Sequence, residues 1–270
     1  MVSGTAPVHR FITGLELLIC AASLAGLLAW ATGHPPFYSD TAPVMSPFTY
    51  LSLALISGGR LALRHLTAWP IPLTIALLGM ILGGNFSSIM VQMIMPRLIA
   101  DAFPGLVTTS IMTSAGLILF CLYELLIIFR ETPVSAFISD DILLHLALLP
   151  GGISLLGHAL DNPWYISSAA DPRIGISLTE MGFMGAWAVV AVLANQKLFL
   201  WRFLARGMTN RIIFALLFAN QFILPLVVAS LAAGNGPRQG PGIELFVMLG
   251  GIFTTLAFLS ISARRKPAAG

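Results

Sequence analysis

The sequence predicts an all-α protein: a polytopic transmembrane helix bundle of about eight helices with both termini cytoplasmic. Three observations lead there. Residues 11 to 263 hold a succession of apolar runs, each near the roughly 20 residues that cross a hydrocarbon core of about 30 Å. Of the residues, 57% are hydrophobic and only 9% charged, with a mean hydropathy of +0.90, against the ~25% charge of an ordinary soluble domain. The Lys and Arg residues crowd onto alternate connections, as the positive-inside rule requires of a threaded chain.

The runs fall at 11–31, 46–66, 71–94, 110–130, 141–159, 177–196, 211–233 and 243–263. The first follows Arg10 and ends near Ala29-Trp30-Ala31, which loosely imitates a secretory signal and its small-residue cleavage site. Its apolar stretch exceeds the ~7–15 residues of a signal core and bulky Trp30 sits inside the site, so a retained anchor is expected. The second, fourth and sixth runs each open on a serine (Ser46, Ser110, Ser177), a residue that caps helix starts. The third is interrupted by Gly83-Gly84-Asn85, and the seventh carries Asn220 and Gln221 just before Pro225. The fifth is the shortest and contains Pro150, Gly151 and Gly152. Without it the basic 197–211 connection would move to the outer side, which argues for keeping it. The last run is followed by Arg264, Arg265 and Lys266, suited to anionic headgroups.

With the N-terminus in the cytoplasm, that side collects Arg10, Arg64, Arg130, Lys197, Arg202, Arg206, Arg211, Arg264, Arg265 and Lys266. The outer side collects Arg97, Arg173 and Arg238, and Arg60 lies within a span. The net charge of +3 is thus spread over helix ends, which fits a lipid bilayer as partner better than nucleic acid, so no nucleic acid is expected. Cys20 and Cys121 both fall in apolar runs, read as small packing residues rather than a disulfide or zinc framework. The outer connections are the longer ones and hold more Pro, Gly, aromatics and acids. Because binding chemistry favours loops, the outer face is the expected working end. The whole chain, 1–270, reads as one integral-membrane domain. Ser46-Pro-Phe-Thr49, Ser110-Ile-Met-Thr113 and Ser177-Leu-Thr179 begin their helices in comparable places, consistent with a repeat of four outward-pointing helix hairpins.

Ionisable side chains within spans are the default functional candidates. Glu16, Arg60, Glu124 and His145 lie at similar depth, one to two turns from the cytoplasmic boundary. They are expected to form an ionic cluster, acting either as a packing lock or as a proton relay with His145 titrating. His34, Asp40, His158, Asp161 and Glu180 form a candidate outer vestibule alongside Tyr38, Trp164, Tyr165, Asp171 and Glu244. No spacing there resembles a zinc motif, so no metal is assigned. Asn85, Asn220 and Gln221 make a polar set near midplane, serving as interhelical glue or as a solute site. His145 and His158 lie thirteen residues apart, nearly 20 Å along a helix. Haem b between helices would then require His65 and His34 as opposite ligands. Lys197 and Lys266 lie in connections, which disfavours retinal chemistry.

The stretch Ala42-Pro-Val-Met-Ser-Pro-Phe-Thr49, with Gly58 and Gly59 further along, resembles the Met-x-Pro-x-Thr start of an apolar helix in certain bacterial signalling proteins. These are the multi-pass N-terminal membrane input regions of sensor histidine kinases and diguanylate cyclases. Met45, Pro47 and Thr49 are matched, and the likeness covers about 20 residues. It implies a membrane-embedded input module that senses a small or lipophilic cue. No kinase, cyclase or PAS-like segment follows residue 263, so transmission would need a membrane-protein partner or a homo-oligomer.

The expected function is therefore a non-enzymatic multi-pass input or accessory module of the bacterial inner (cytoplasmic) membrane. It would bind a small or lipophilic ligand and act through a partner. A small proton-coupled transporter using Asn85, Asn220 and Gln221 with Glu124 or Glu16 is the alternative, and a haem b electron carrier is the third reading. No nucleophile or base marks it as an enzyme.

Overall fold

The structure, a computed structural model, describes residues 6–38, 42–66, 70–94, 107–129, 138–166, 173–232 and 242–264, and these are almost wholly helical, with no strand among them. The helices are α1 (Ala6–Ala31), α2 (Pro47–His65), α3 (Ile71–Ile94), α4 (Ile111–Phe129), α5 (Ile138–Leu160), α6 (Pro163–Ile166), α7 (Leu178–Ala194), α8 (Phe199–Ala205), α9 (Met208–Phe218), α10 (Leu224–Ala232) and α11 (Ile243–Arg264). A π-helical turn, Ala219–Ile223, joins α9 to α10. Among the described residues six helices are long and apolar enough to cross a membrane, or seven if the bent pair α7 and α8 is one span. The predicted span at 46–66 is a helix but is not among those six: it holds Ser52, Ser57, Arg60 and Arg64, which lower its hydropathy, and of these the serines are buried and the arginines pair with Glu16.

Local chemistry sets the helix ends. Gly33, at φ +77°, closes α1: its N–H reaches the Trp30 carbonyl and the His34 N–H reaches Ala29, the paired bonds of a Schellman ending. Trp30 Nε1 then donates to the Met45 carbonyl at 3.1 Å, tying the end of α1 to the start of α2. Ser46 caps α2 by accepting the Thr49 N–H, with Pro47 in the first turn where its missing N–H costs nothing. Ser110 caps α4 by accepting the Thr113 N–H at 3.0 Å. Ser177 and Glu180 form a reciprocal capping box on α7.

α2, α4 and α7 run in one direction through the centre, and each surrounding helix lies in a groove between two of them. α1 packs against α2 and α7, α3 against α2 and α4, and α5 against α4 and α7. Counted from the three capping serines, the same offsets of 3, 7, 10 and 14 supply successive inner layers. These are Thr49, Thr113 and Glu180; Leu53, Leu117 and Met184; Ile56, Phe120 and Trp187; then Arg60, Glu124 and Ala191. All but Arg60 are buried. Alternating steps of three and four keep one face turned to the axis, as in a heptad seam. Phe120 and Trp187 stack within their layer, 5.7 Å between centroids and 5° between planes, so the axis is filled with side chains. Gly26 and Gly116 admit the close approach of Tyr50 and Met184, which occupy the space a Cβ would need.

The remaining helices lie outside this core. α11 packs against α10, the π turn and α5, with Met248 and Ile252 meeting Ile153 and Leu156 of α5. Tyr165 of α6 fixes its start, donating to Glu244 (3.0 Å) and accepting the Gly242 N–H (2.8 Å). The predicted 177–196 span ends early, at Ala194, and the chain bends 70° into α8. The carboxylate of Asp141 causes the bend, accepting the N–H groups of Phe199 (2.9 Å) and Leu200 (3.0 Å), while Phe199 and Phe203 are buried. The basic connection read as a loop at 197–211 is therefore partly helical. The π turn also has a local cause. Pro225 has no N–H and its ring would strike the carbonyl four residues back, so the pattern slips and the Leu224 N–H bonds Ala219 instead.

Candidate functional site

Two polar layers and one cavity hold the chemistry-bearing side chains. At the end of the bundle where α1 begins, Arg60 spans two acids: Nε to Glu16 at 3.0 Å and Nη1 to Glu124 at 2.6 Å. Arg64 grips Glu16 from the other side, at 2.6 and 3.1 Å. The guanidinium of Arg60 also sits 4.8 Å from the centroid of Trp187, a cation–π contact. Two positive and two negative charges thus balance, and Tyr123 closes the layer by donating to the Ala191 carbonyl and accepting from Asn195. Of the four residues expected here, the structure brings together Glu16, Arg60 and Glu124. His145 faces a separate cavity. Equal depth put His145 in the group, and its rotational phase on α5 takes it out. Arg64 falls inside the 46–66 run but was counted only among the basic residues of the cytoplasmic side, not among the charges within spans. It lies one turn beyond Arg60, a spacing that puts both guanidinium groups on one helix face.

At the opposite end the carboxylate of Glu180 is buried where three helix starts meet. It accepts the Ser177 N–H (3.0 Å) and the Thr49 hydroxyl (3.0 Å), with the Thr113 hydroxyl and the Ser46 N–H as further donors. Ser46 and Thr109 hydroxyls join at 2.5 Å beside it. Helix N-termini favour an anion, so this is a packed anion knot rather than one wall of an open vestibule. The other vestibule candidates do not converge on it. His158 Nε2 contacts the Ile176 carbonyl (3.2 Å), His34 Nδ1 contacts the Thr32 carbonyl (2.8 Å), and His34 and Asp161 are exposed. Asp40 lies outside the described residues.

The midplane set also divides. Asn85, buried on α3, donates to the Ile81 carbonyl (2.9 Å) and to Ser52 (3.5 Å), joining α3 to α2. Asn220 and Gln221 lie on the π turn, and only Gln221 reaches the cavity lining.

That cavity, about 230 Å³, lies between α5, α8, α9, the π turn and α11. Its lining is mostly Leu and Phe, with His145, Gln221, Thr255 and Asp141 as the polar members. Gly251 makes the geometry: a Cβ there would stand 2.8 Å from Gln221 Cα and 3.0 Å from the Asn220 carbonyl oxygen, so glycine lets α11 close on the π turn. The Gln221 side chain is within hydrogen-bonding reach of the His145 ring, yet buried Nε2 of that ring meets no partner. A bis-histidine haem held between helices needs an imidazole from each side. The lining has His145 alone, and the His65 ring lies edge-on to His9 at 6.2 Å. These residues do not fit a bis-histidine haem. Among the described residues no group of His, Cys, Asp and Glu is arranged to hold a metal ion.

No known protein family, no curated protein and no solved structure matches this chain.

Proposed function

We propose that this chain is a non-enzymatic, multi-pass membrane module that binds a lipophilic ligand and passes its occupancy to a membrane partner. The observation that carries the reading is the apolar cavity at the π turn, with a few polar groups gathered in it. Small-molecule sites have this composition, and π turns inside helices recur at functional positions. The floor of the cavity is α8, anchored by Asp141 and bearing Arg202 beside Arg206. A ligand pressing on Leu200 and Phe203 would tilt α8 and present its basic residues differently to a partner. Eight membrane crossings, both termini in the cytoplasm and a bacterial inner membrane complete the proposal. The bias of Lys and Arg residues supports that orientation.

Proton-coupled transport has less support. Glu16 and Glu124 are each held by arginine, and the layers Leu53–Leu117–Met184 and Ile56–Phe120–Trp187 fill the bundle axis. Native mass spectrometry on protein released gently from its own membrane tests the proposal. A lipophilic adduct that disappears in Leu217→Trp, a variant that fills the cavity, is the expected result. A bare chain with neither adduct nor partner would overturn the reading. Reporter fusions at both termini and within 197–211 should all report the cytoplasm.

A further inference from the structure

The segment from Lys197 to Arg211 carries four cations and no acid. Lys197, Arg202, Arg206 and Arg211 are all exposed, and among the described residues the ion pairs are those of Arg60 and Arg64. The positive-inside rule asks only for basic residues on a connection; here they stand on a helix that is tied at its start, middle and end. Asp141 holds the start of α8. Trp201 Nε1 donates to the Val192 carbonyl at 2.8 Å, tying the middle to α7. At the end, Asn210 Nδ2 donates to the Phe203 carbonyl (2.8 Å) and Arg211 Nε to the Leu204 carbonyl (3.3 Å).

The 70° bend turns α8 across the end of the bundle, the end that holds the Arg60 layer, since Asn195 just before it donates to Tyr123. Phe199 and Phe203 are buried, while Arg202 and Arg206 follow one turn apart and exposed. The Arg211 guanidinium is drawn to the last turn of the same helix. From there an apolar face runs along α9, where Met208, Ile212 and Leu216 are 69%, 49% and 64% exposed at the four-residue spacing of one helix face. A molecule that answers both surfaces carries anionic oxygens at one end, which guanidinium groups bind with paired N–H donors, and an apolar chain at the other.

We infer that the elbow of α7, α8 and α9 is a binding site for an anionic phospholipid. Its headgroup phosphate lies on Arg202, Arg206 and Arg211, and an acyl chain lies along Met208, Ile212 and Leu216. The inference rests on the membrane placement proposed above and names what the basic residues of α8 meet; it does not depend on the cavity being filled.

Native mass spectrometry of the full chain in detergent tests it, with titrations of phosphatidylglycerol and of phosphatidylcholine bearing the same acyl chains. Phosphatidylglycerol should be retained in preference, because choline sets a cation of its own beside the arginines. Arg202→Gln and Arg206→Gln should each weaken its binding about fivefold, the effect of one basic residue at an anionic headgroup, and together about 25-fold. Both side chains are exposed, so both variants should fold. Arg10→Gln, which removes another exposed cation at the same end, should leave binding unchanged, as should Leu217→Trp. Equal retention of the two lipids, or a loss in Arg10→Gln as large as in Arg202→Gln, would overturn the site. Neither outcome touches the cavity ligand, whose presence Leu217→Trp reports separately. Displacement of the lipid by equimolar inorganic phosphate would make the occupant a soluble anion and overturn the lipid assignment.

Discussion

Arg60 is the side chain whose removal should hurt this fold most. It makes ion pairs of 3.0 and 2.6 Å with carboxylates whose side chains are 2% and 7% exposed. Glu16 keeps Arg64 if Arg60 is lost, at 2.6 Å, whereas the ion pair of Glu124 is with Arg60. Arg60→Met therefore strands one buried carboxylate. Breaking such a pair costs about 3–5 kcal/mol, mostly the penalty of an uncompensated buried charge, while replacing both partners by apolar groups is often neutral. At roughly 2–4 °C per kcal/mol for chains of comparable size, the midpoint of thermal unfolding in detergent should fall on the order of 10 °C. The double variant Arg60→Met with Glu124→Leu should recover more than half of that loss. Arg60→Lys should lie between, since an ammonium cannot present Nε and Nη1 to two acids at once. If the double variant is no more stable than Arg60→Met, the stranded charge is not the cause and the reasoning fails.

Glu180→Leu should cost about 1–3 kcal/mol for each buried donor left without an acceptor, measured by the same melt, and Glu180→Gln should cost less because the amide oxygen still accepts. Gly251→Ala should destabilise by about 1–3 kcal/mol through overpacking against the π turn; unchanged stability would mean that the 2.8 Å approach to Gln221 relaxes freely. Asp141→Ala removes the acceptor at the start of α8 and should cost about 1 kcal/mol, with faster proteolysis between Asn195 and Gly207. Equal proteolysis in variant and parent would show that Asp141 does not hold α8.

Some of this was legible from the chain alone because it is set by neighbours in sequence. The predicted 71–94 helix is Ile71–Ile94, and the predicted 46–66 and 110–130 helices start where Ser46 and Ser110 cap them. Caps and apolar run length act within a few residues, so they can be read without knowing what packs where. The end of the 177–196 run was not legible, because Asp141, 58 residues away in sequence, bends the chain there.

Depth is likewise a property of the sequence, since each residue adds about 1.5 Å of rise. It could group Glu16, Arg60, Glu124 and His145, but it could not say which way each points. Packing decides that: α1 and α4 each lie against α2 and turn their acids onto Arg60, while α5 turns His145 toward α11 and the π turn. Glu180 reads as an outer-face acid until three helix starts close around it. The sequence by itself determined a chain of long apolar helices and the depth of its charges. Only the tertiary structure decided which charges neutralise one another and which polar groups are left facing a cavity, because rotational phase is settled by contacts between helices distant in sequence.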